Sequence, residues 1–70
     1  MELTAVLTPA AEGGFVALNP ETGATSQGET VEDALANLRE ATVLYLEEFP
    51  LPSTGRGRPV VTTFAVPEHA

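Results

Sequence analysis

The side chains that most often carry out catalysis are scarce in this 70-residue chain. It contains no cysteine and no lysine, and its single histidine, His69, is the penultimate residue. General acid–base catalysis needs a group held in a fixed position, which a chain end does not provide. Ser26 and Ser53 have no second histidine to activate them as nucleophiles. We therefore predict that the protein is not an enzyme.

Carboxylates are plentiful, so a metal-assisted hydrolase is the next class to consider. Such a site needs acidic residues that converge from strand ends and helices, and no predicted strand interior contains one. Glu29, Glu32 and Asp33 lie together at the start of a predicted helix, where they could chelate a hard cation. We favour another interpretation, because negative charge at these positions also stabilises a helix N-terminus. We expect no metal and no cofactor.

The charge is strongly negative and unevenly distributed. Ten acidic and three basic residues give a net charge of −7, which argues against binding to nucleic acid or to an anionic membrane. Residues 29–48 hold six of the acids and Arg39, whereas residues 49–67 hold no acid and two arginines, Arg56 and Arg58. The run of glycine and arginine over residues 55–58 could bind an anion or pair with acids of another subunit. The alternative is that it is a flexible linker.

Hydrophobic periodicity in the first 28 residues predicts short strands joined by tight turns. Leu3, Ala5 and Leu7 alternate with polar or smaller residues, which favours a half-buried strand over residues 2–9. Residues 10–14 end in two glycines and predict a turn, and Phe15 to Leu18 form the return strand of a hairpin. A second turn over residues 19–23 precedes residues 24–27, a possible third edge strand.

A helix follows, and it is the strongest local prediction. Thr30 and Asp33 have the spacing of a helix N-cap and its partner. Apolar residues then recur at helical spacing, and Pro50 and Pro52 end the helix. The apolar stripe expected to face the sheet consists of Val31, Leu35, Leu38, Tyr45 and Phe49.

Two aliphatic residues of the helix, Val43 and Leu44, point away from this stripe and lie among Glu40 and Glu47. They are either scattered surface aliphatics, which are normal in proteins, or a contact surface. We predict that Glu40, Val43, Leu44 and Glu47 form a contact with a partner or with another subunit.

The C-terminal part predicts a linker and one more strand. Residues 51–59 consist mainly of proline, serine, threonine, glycine and two arginines, and Val60 to Val66 is rich in β-branched residues with apolar side chains on both faces. The predicted fold class is therefore α+β, with a small antiparallel sheet of three to four strands packed on one helix in the order β-β-β-α-β. We expect one domain over residues 1–70. One helix covers one sheet face only, so we also predict a homo-oligomer, a dimer or a tetramer.

Residues 13–48 resemble the N-terminal domain of HicB-like antitoxins. The resemblance lies in a Gly-Gly-aromatic hairpin, a proline turn, a Ser-Gln-Gly-acidic-Thr helix cap and a helix with alanine, leucine and glutamate at fixed positions. The matching residues are Gly13-Gly14-Phe15-Val16-Ala17, Pro20, Ser26-Gln27-Gly28-Glu29-Thr30, Glu32-Asp33-Ala34-Leu35 and Asn37-Leu38-Arg39-Glu40-Ala41.

This resemblance implies a degraded RNase H-like unit without the nuclease carboxylates. Members of the family neutralise HicA-like toxins, which are small basic RNases, and an acidic protein can compete with RNA for such a positive surface. Typical members also carry a C-terminal DNA-binding domain, for which we expect no room in this chain. The prediction is a cytoplasmic, non-catalytic antitoxin-like protein. The alternative is an orphan oligomeric binding or structural module of the same fold without a toxin partner.

Overall fold

The computed structural model describes residues 1–51 and 57–68. Strands β1 (Val6–Pro9), β2 (Phe15–Leu18) and β3 (Thr25–Gly28) form an antiparallel sheet in the order β1-β2-β3, and helix α1 (Val31–Glu48) follows. The α+β class and the element order β-β-β-α are confirmed.

Both tight turns form where the sequence predicts them. Gly13 and Gly14 have φ angles of 103° and 76°, which side chains other than glycine rarely adopt, and the Ala10 N–H donates to the Gly14 carbonyl at 3.0 Å. The second turn is closed by the Gly23 N–H, which donates to the Asn19 carbonyl at 2.8 Å. These turns set the register in which Leu7, Ala17 and Ser26 lie side by side across the three strands.

The core lies between the sheet and the helix and is small. Its fully buried apolar members are Ala17 of β2 with Ala34 and Leu38 of α1. Partly buried residues surround them, namely Ala5, Leu7, Phe15 and Ala24. The predicted inward direction of Ala5 and Leu7 is confirmed. Two alanines at the centre allow the helix to lie close to the sheet.

The junction between β3 and α1 fixes the position of the helix. The Thr30 hydroxyl accepts a hydrogen bond from the Asp33 N–H at 3.0 Å, as predicted for an N-cap. Gly28 touches the first helical turn, and a Cβ at this position would overlap the backbone nitrogen of Ala34 and approach the Asp33 carbonyl carbon to 2.7 Å. The Asn37 amide donates to the Gln27 carbonyl at 2.8 Å and ties the helix to β3.

The predicted apolar stripe of the helix is only partly buried. Leu38 is buried, together with Ala34 and Thr42, but large fractions of the remaining stripe residues are exposed. Those residues are Val31, Leu35, Tyr45 and Phe49. Leu35 lies within the covered stretch of the helix and lines the space between α1 and residues 1–5. For the three residues nearer the helix ends the reason is length, because a four-residue strand spans about 13 Å, whereas the 18-residue helix is about 27 Å long. The sheet therefore covers only the middle of the helix.

The predicted strand over residues 60–66 is not formed. In the described chain these residues have no regular secondary structure and are exposed. A strand needs a hydrogen-bonded neighbour, and no described strand pairs with this segment. The Cα radius of gyration, 14.3 Å, exceeds the roughly 11 Å of a compact chain of this length. The predicted linker over residues 51–59 lies partly outside the described residues, as does His69.

Candidate interaction surfaces

The first candidate surface is the outer helix face, defined as Glu40, Val43, Leu44 and Glu47. All four residues are exposed, with Val43 at 48% and Leu44 at 59% of their full accessible surface. They face outward because successive helical residues are rotated by about 100°, which directs them away from the buried line of Ala34, Leu38 and Thr42. The predicted outward orientation is confirmed, and the contact itself stays a prediction.

The outer helix face is also electronegative. The helix carries Glu32 and Asp33 in its first turn and three further glutamates beyond it, against Arg39 as its single basic residue. Within the residues that the structure describes, the one ion pair joins Arg58 to Glu2 at 2.8 Å. It involves no residue of the outer helix face. The carboxylates of Glu40 and Glu47 therefore keep their charge available for an external partner.

The second candidate surface is a groove of about 430 Å³ between the helix and the N-terminal segment that leads into β1. Leu3 and Ala5 line one wall, and Leu35, Leu38 and Leu46 line the other. Val43 lies at its rim and so borders both surfaces, whereas Leu44 is not part of it. Sequence reasoning missed the groove. The helical spacing of Leu35, Leu38 and Leu46 can be recognised in the sequence. Whether strands cover these leucines or leave a groove beside them depends on the extent of the sheet.

A polar cluster at one end of the groove anchors the N-terminal segment. Asn19 is 1% exposed, and its side-chain amide donates to the Thr4 carbonyl at 2.8 Å and to Glu21 Oε1 at 2.6 Å. The Glu21 carboxylate accepts from the Thr4 N–H at 3.0 Å and from the Thr4 hydroxyl at 2.9 Å. Asn19 Oδ1 in turn accepts from the backbone and hydroxyl of Thr22. The sequence predicted a turn here but not these bonds.

The Glu21 carboxyl group responds to this environment. Partial burial acts to raise its pKa, but the hydrogen bonds from Thr4 and Asn19 stabilise the charged form and hold the pKa below the ordinary value of 4.5. The pKa of Glu2 is also lowered, by the hydrogen bond and the charge of Arg58. Both carboxylates are paired within the chain, so we assign them a structural role.

The other residues that the sequence suggested for chemistry lie apart from these two surfaces or outside the described residues. Across residues 1–51 and 57–68, no group of three or more histidine, cysteine or acidic side chains is placed to hold a metal ion. Glu29, Glu32 and Asp33 lie around the capped helix start and do not form such a group in the described residues. Ser26 lies within β3. Ser53 and Arg56 lie outside the described residues, and Arg58 pairs with Glu2 of its own chain.

Helices long and apolar enough to cross a membrane are absent from the residues described.

A three-stranded antiparallel sheet with one helix defines a small α+β protein with two exposed candidate surfaces. Comparison with known sequences places it more narrowly. A UPF0150 protein of Synechocystis sp. is 42% identical to this chain over 59 residues, which cover 83% of this chain and 81% of the relative. The chain therefore belongs to the UPF0150 family. Neither a protein-family model nor a solved structure matches it.

Proposed function

We propose that the protein is a non-catalytic, antitoxin-like binding protein that neutralises a small basic RNase of the HicA-like type. The observation that carries the proposal is the outer helix face, where exposed aliphatic side chains lie between exposed carboxylates. An apolar centre with charged surroundings is the composition of a protein-binding surface. The resemblance of residues 13–48 to HicB-like antitoxins gives the class of partner.

The charge of the helix supports a basic partner. Glu40 and Glu47 are two turns apart on the same side of the helix, with Val43 and Leu44 between them. Their carboxylates attract an RNase that must itself be positive to bind RNA, and such complementarity raises the association rate. A bound acidic helix would also exclude the RNA phosphates from the same surface.

The decisive experiment mixes the full chain with a HicA-like RNase from the same genome and measures binding by calorimetry and RNA cleavage in the same buffer. We expect a complex in which cleavage is suppressed in proportion to the fraction bound. We also expect affinity to fall as ionic strength rises, because salt screens exposed charges over about 10 Å at 0.1 M. Full cleavage at saturating amounts of the chain would contradict the proposal.

A matched pair of charge variants locates the surface. Glu40→Arg with Glu47→Arg reverses charge on the outer helix face, and Glu12→Arg with Glu68→Arg makes the same net change elsewhere. We expect the first variant to lose at least tenfold in affinity and the second to lose much less. Equal losses would mean that total charge, rather than this face, drives binding.

A second function is an orphan oligomeric module of the same fold without a toxin partner. It is favoured by a different observation, namely the number of apolar side chains that remain exposed on the sheet and in residues 60–66. Under this alternative the chain self-associates and leaves the RNase fully active.

A further inference from the structure

The edge of β1 and the groove beside it are open in the described chain. The order β1-β2-β3 leaves the outer edge of β1 without a neighbouring strand. The helix is tied to β3, where Asn37 binds the Gln27 carbonyl and Gly28 touches the first helical turn. The groove lies on the opposite side, between the helix and residues 1–5, which lead directly into β1. A strand edge beside an apolar groove is a surface to which an extended segment can add.

The segment over residues 60–66 has the composition of such a strand. Five of its seven residues are β-branched, and Phe64 is aromatic. Val60 and Phe64 are each 85% exposed, which is unusual for large apolar side chains in the folded part of a protein. If the segment is extended, Val60 and Phe64 fall on one face and Val61 on the other, so both faces are apolar.

A second copy of the chain is the occupant that fits the groove best. In the same chain, the groove is accessible to solvent and residues 60–66 are exposed. Arg58, just before the segment, is held at Glu2, and the residues after it remain exposed rather than entering the groove. A strand with two apolar faces must also be covered on both sides. One chain has a single helix, which can cover only one face of the strand. In a dimer, the second copy can cover the other face.

Charge favours this mode of self-association over a contact between two helices. Each copy carries a net charge of −7, and two outer helix faces brought together would oppose Glu40 and Glu47 to the same residues of the other copy. Residues 57–66 contain Arg58 and no acid. They therefore bring no carboxylate towards the helix of another copy, and the charged side chain that lines the groove is Arg39.

We propose that residues 60–66 of one copy pair with the open edge of β1 in a second copy and fill its groove, and that the second copy does the same in return. The product is a two-fold dimer that uses each contact twice. This inference is independent of the proposed function, because it concerns the chain alone and is tested without an RNase.

The first experiment compares masses in solution by light scattering coupled to size exclusion. We expect the full chain to show at least twice the 7.3 kDa of a single copy. Thr62→Pro with Thr63→Pro removes two backbone donors from the segment. We expect this variant to dissociate at least tenfold more readily, whereas Thr62→Ala with Thr63→Ala stays dimeric. An unchanged helical signal in the far-ultraviolet circular dichroism of the full-length variant shows that the body, which contains α1, remains folded.

The second experiment asks whether the pairing joins different copies. The chain has no native cysteine, so Leu3→Cys, at the groove, and Val61→Cys, in the segment, are unique attachment sites for a short bifunctional maleimide. Mixing the two single variants should give a covalent heterodimer. A chain that carries both substitutions should give covalent dimers rather than an internally linked monomer.

Three outcomes would overturn the proposal. A monomeric mass at 100 μM for the unmodified chain would exclude the dimer. An internally linked monomer from the double cysteine variant would show that the segment returns to its own groove. A dimer that persists in the proline variant would place the interface elsewhere, with the outer helix face as the first surface to examine.

Discussion

The body of the protein, residues 1–49, and the C-terminal segment, residues 57–68, are both rich in apolar residues, but these residues have different surroundings. In the body, Ala17, Ala34 and Leu38 are buried against one another. In the segment, Val60 and Phe64 are almost fully exposed. β-Propensity and hydrophobicity alone therefore do not suffice to form a strand. The body has turns and a helix cap that bring its elements together, whereas the segment has no local partner.

The largest effect expected from this comparison is the removal of a core side chain. Leu38→Ala should lower the free energy of unfolding by about 2–5 kcal/mol, because it leaves a cavity in a core with few large members. Phe64→Ala, a larger truncation, should change it little when both are made in the monomeric Thr62→Pro, Thr63→Pro background. Chemical denaturation followed by circular dichroism measures both. Equal losses would show that Phe64 packs on its own body.

Two glycines give the next contrast. Gly28→Ala should destabilise the body by about 1–3 kcal/mol, because its methyl group would overlap the backbone of Ala34 and the helix would have to move. Gly57→Ala, in the segment, meets no atom within 4 Å and should be neutral or slightly stabilising. Thermal unfolding of the two variants makes the comparison. A stable Gly28→Ala variant would mean that the helix is not fixed against β3.

The N-cap tests a local feature of the body. Thr30→Ala removes the acceptor for the Asp33 N–H and should cost about 1 kcal/mol. Thr30→Ser keeps the hydroxyl and should recover most of the loss. If alanine and serine behave alike, the capping bond contributes nothing and the contact with β3 alone positions the helix start.

A pH titration tests the polar cluster that holds the N-terminal segment on the body. The pKa of Glu21 is lower in the folded chain than its ordinary value of 4.5, so the stabilisation is present above that pH and is lost as the pH falls through the folded-state pKa. Glu21→Gln should therefore reduce the pH dependence of stability below pH 5. Glu12→Gln, in the hairpin turn, should leave it unchanged. Parallel acid-unfolding curves for all three chains would contradict this.

The smallest effect is expected for the one ion pair that joins the body to the described C-terminal segment. Arg58→Ala should leave the unfolding transition of the monomeric background unchanged, because exposed ion pairs contribute little and are screened by salt. A clear loss of stability at low ionic strength would show that the segment is fixed to its own body more firmly than its exposure suggests.

Much of the body could be predicted from local sequence. The glycines at residues 13 and 14 require a turn, and Thr30 with Asp33 marks the helix start. The aliphatic pair at residues 43 and 44 was correctly predicted to point outward, since helical rotation is fixed by the backbone. The groove was not predicted, because its walls belong to residues far apart in sequence. The polar cluster around Asn19 was missed for the same reason.

The class of fold, the order of the first four elements and the concentration of negative charge on the helix could all be predicted from the amino-acid sequence. These follow from turn chemistry, helix capping and periodicity, which act over a few residues. How much of the helix is covered, and whether residues 60–66 form a strand, became clear from the packing of the elements. Both depend on the reach of a sheet whose strands are four residues long. Such a sheet buries the middle of an 18-residue helix and leaves its ends and one strand edge open.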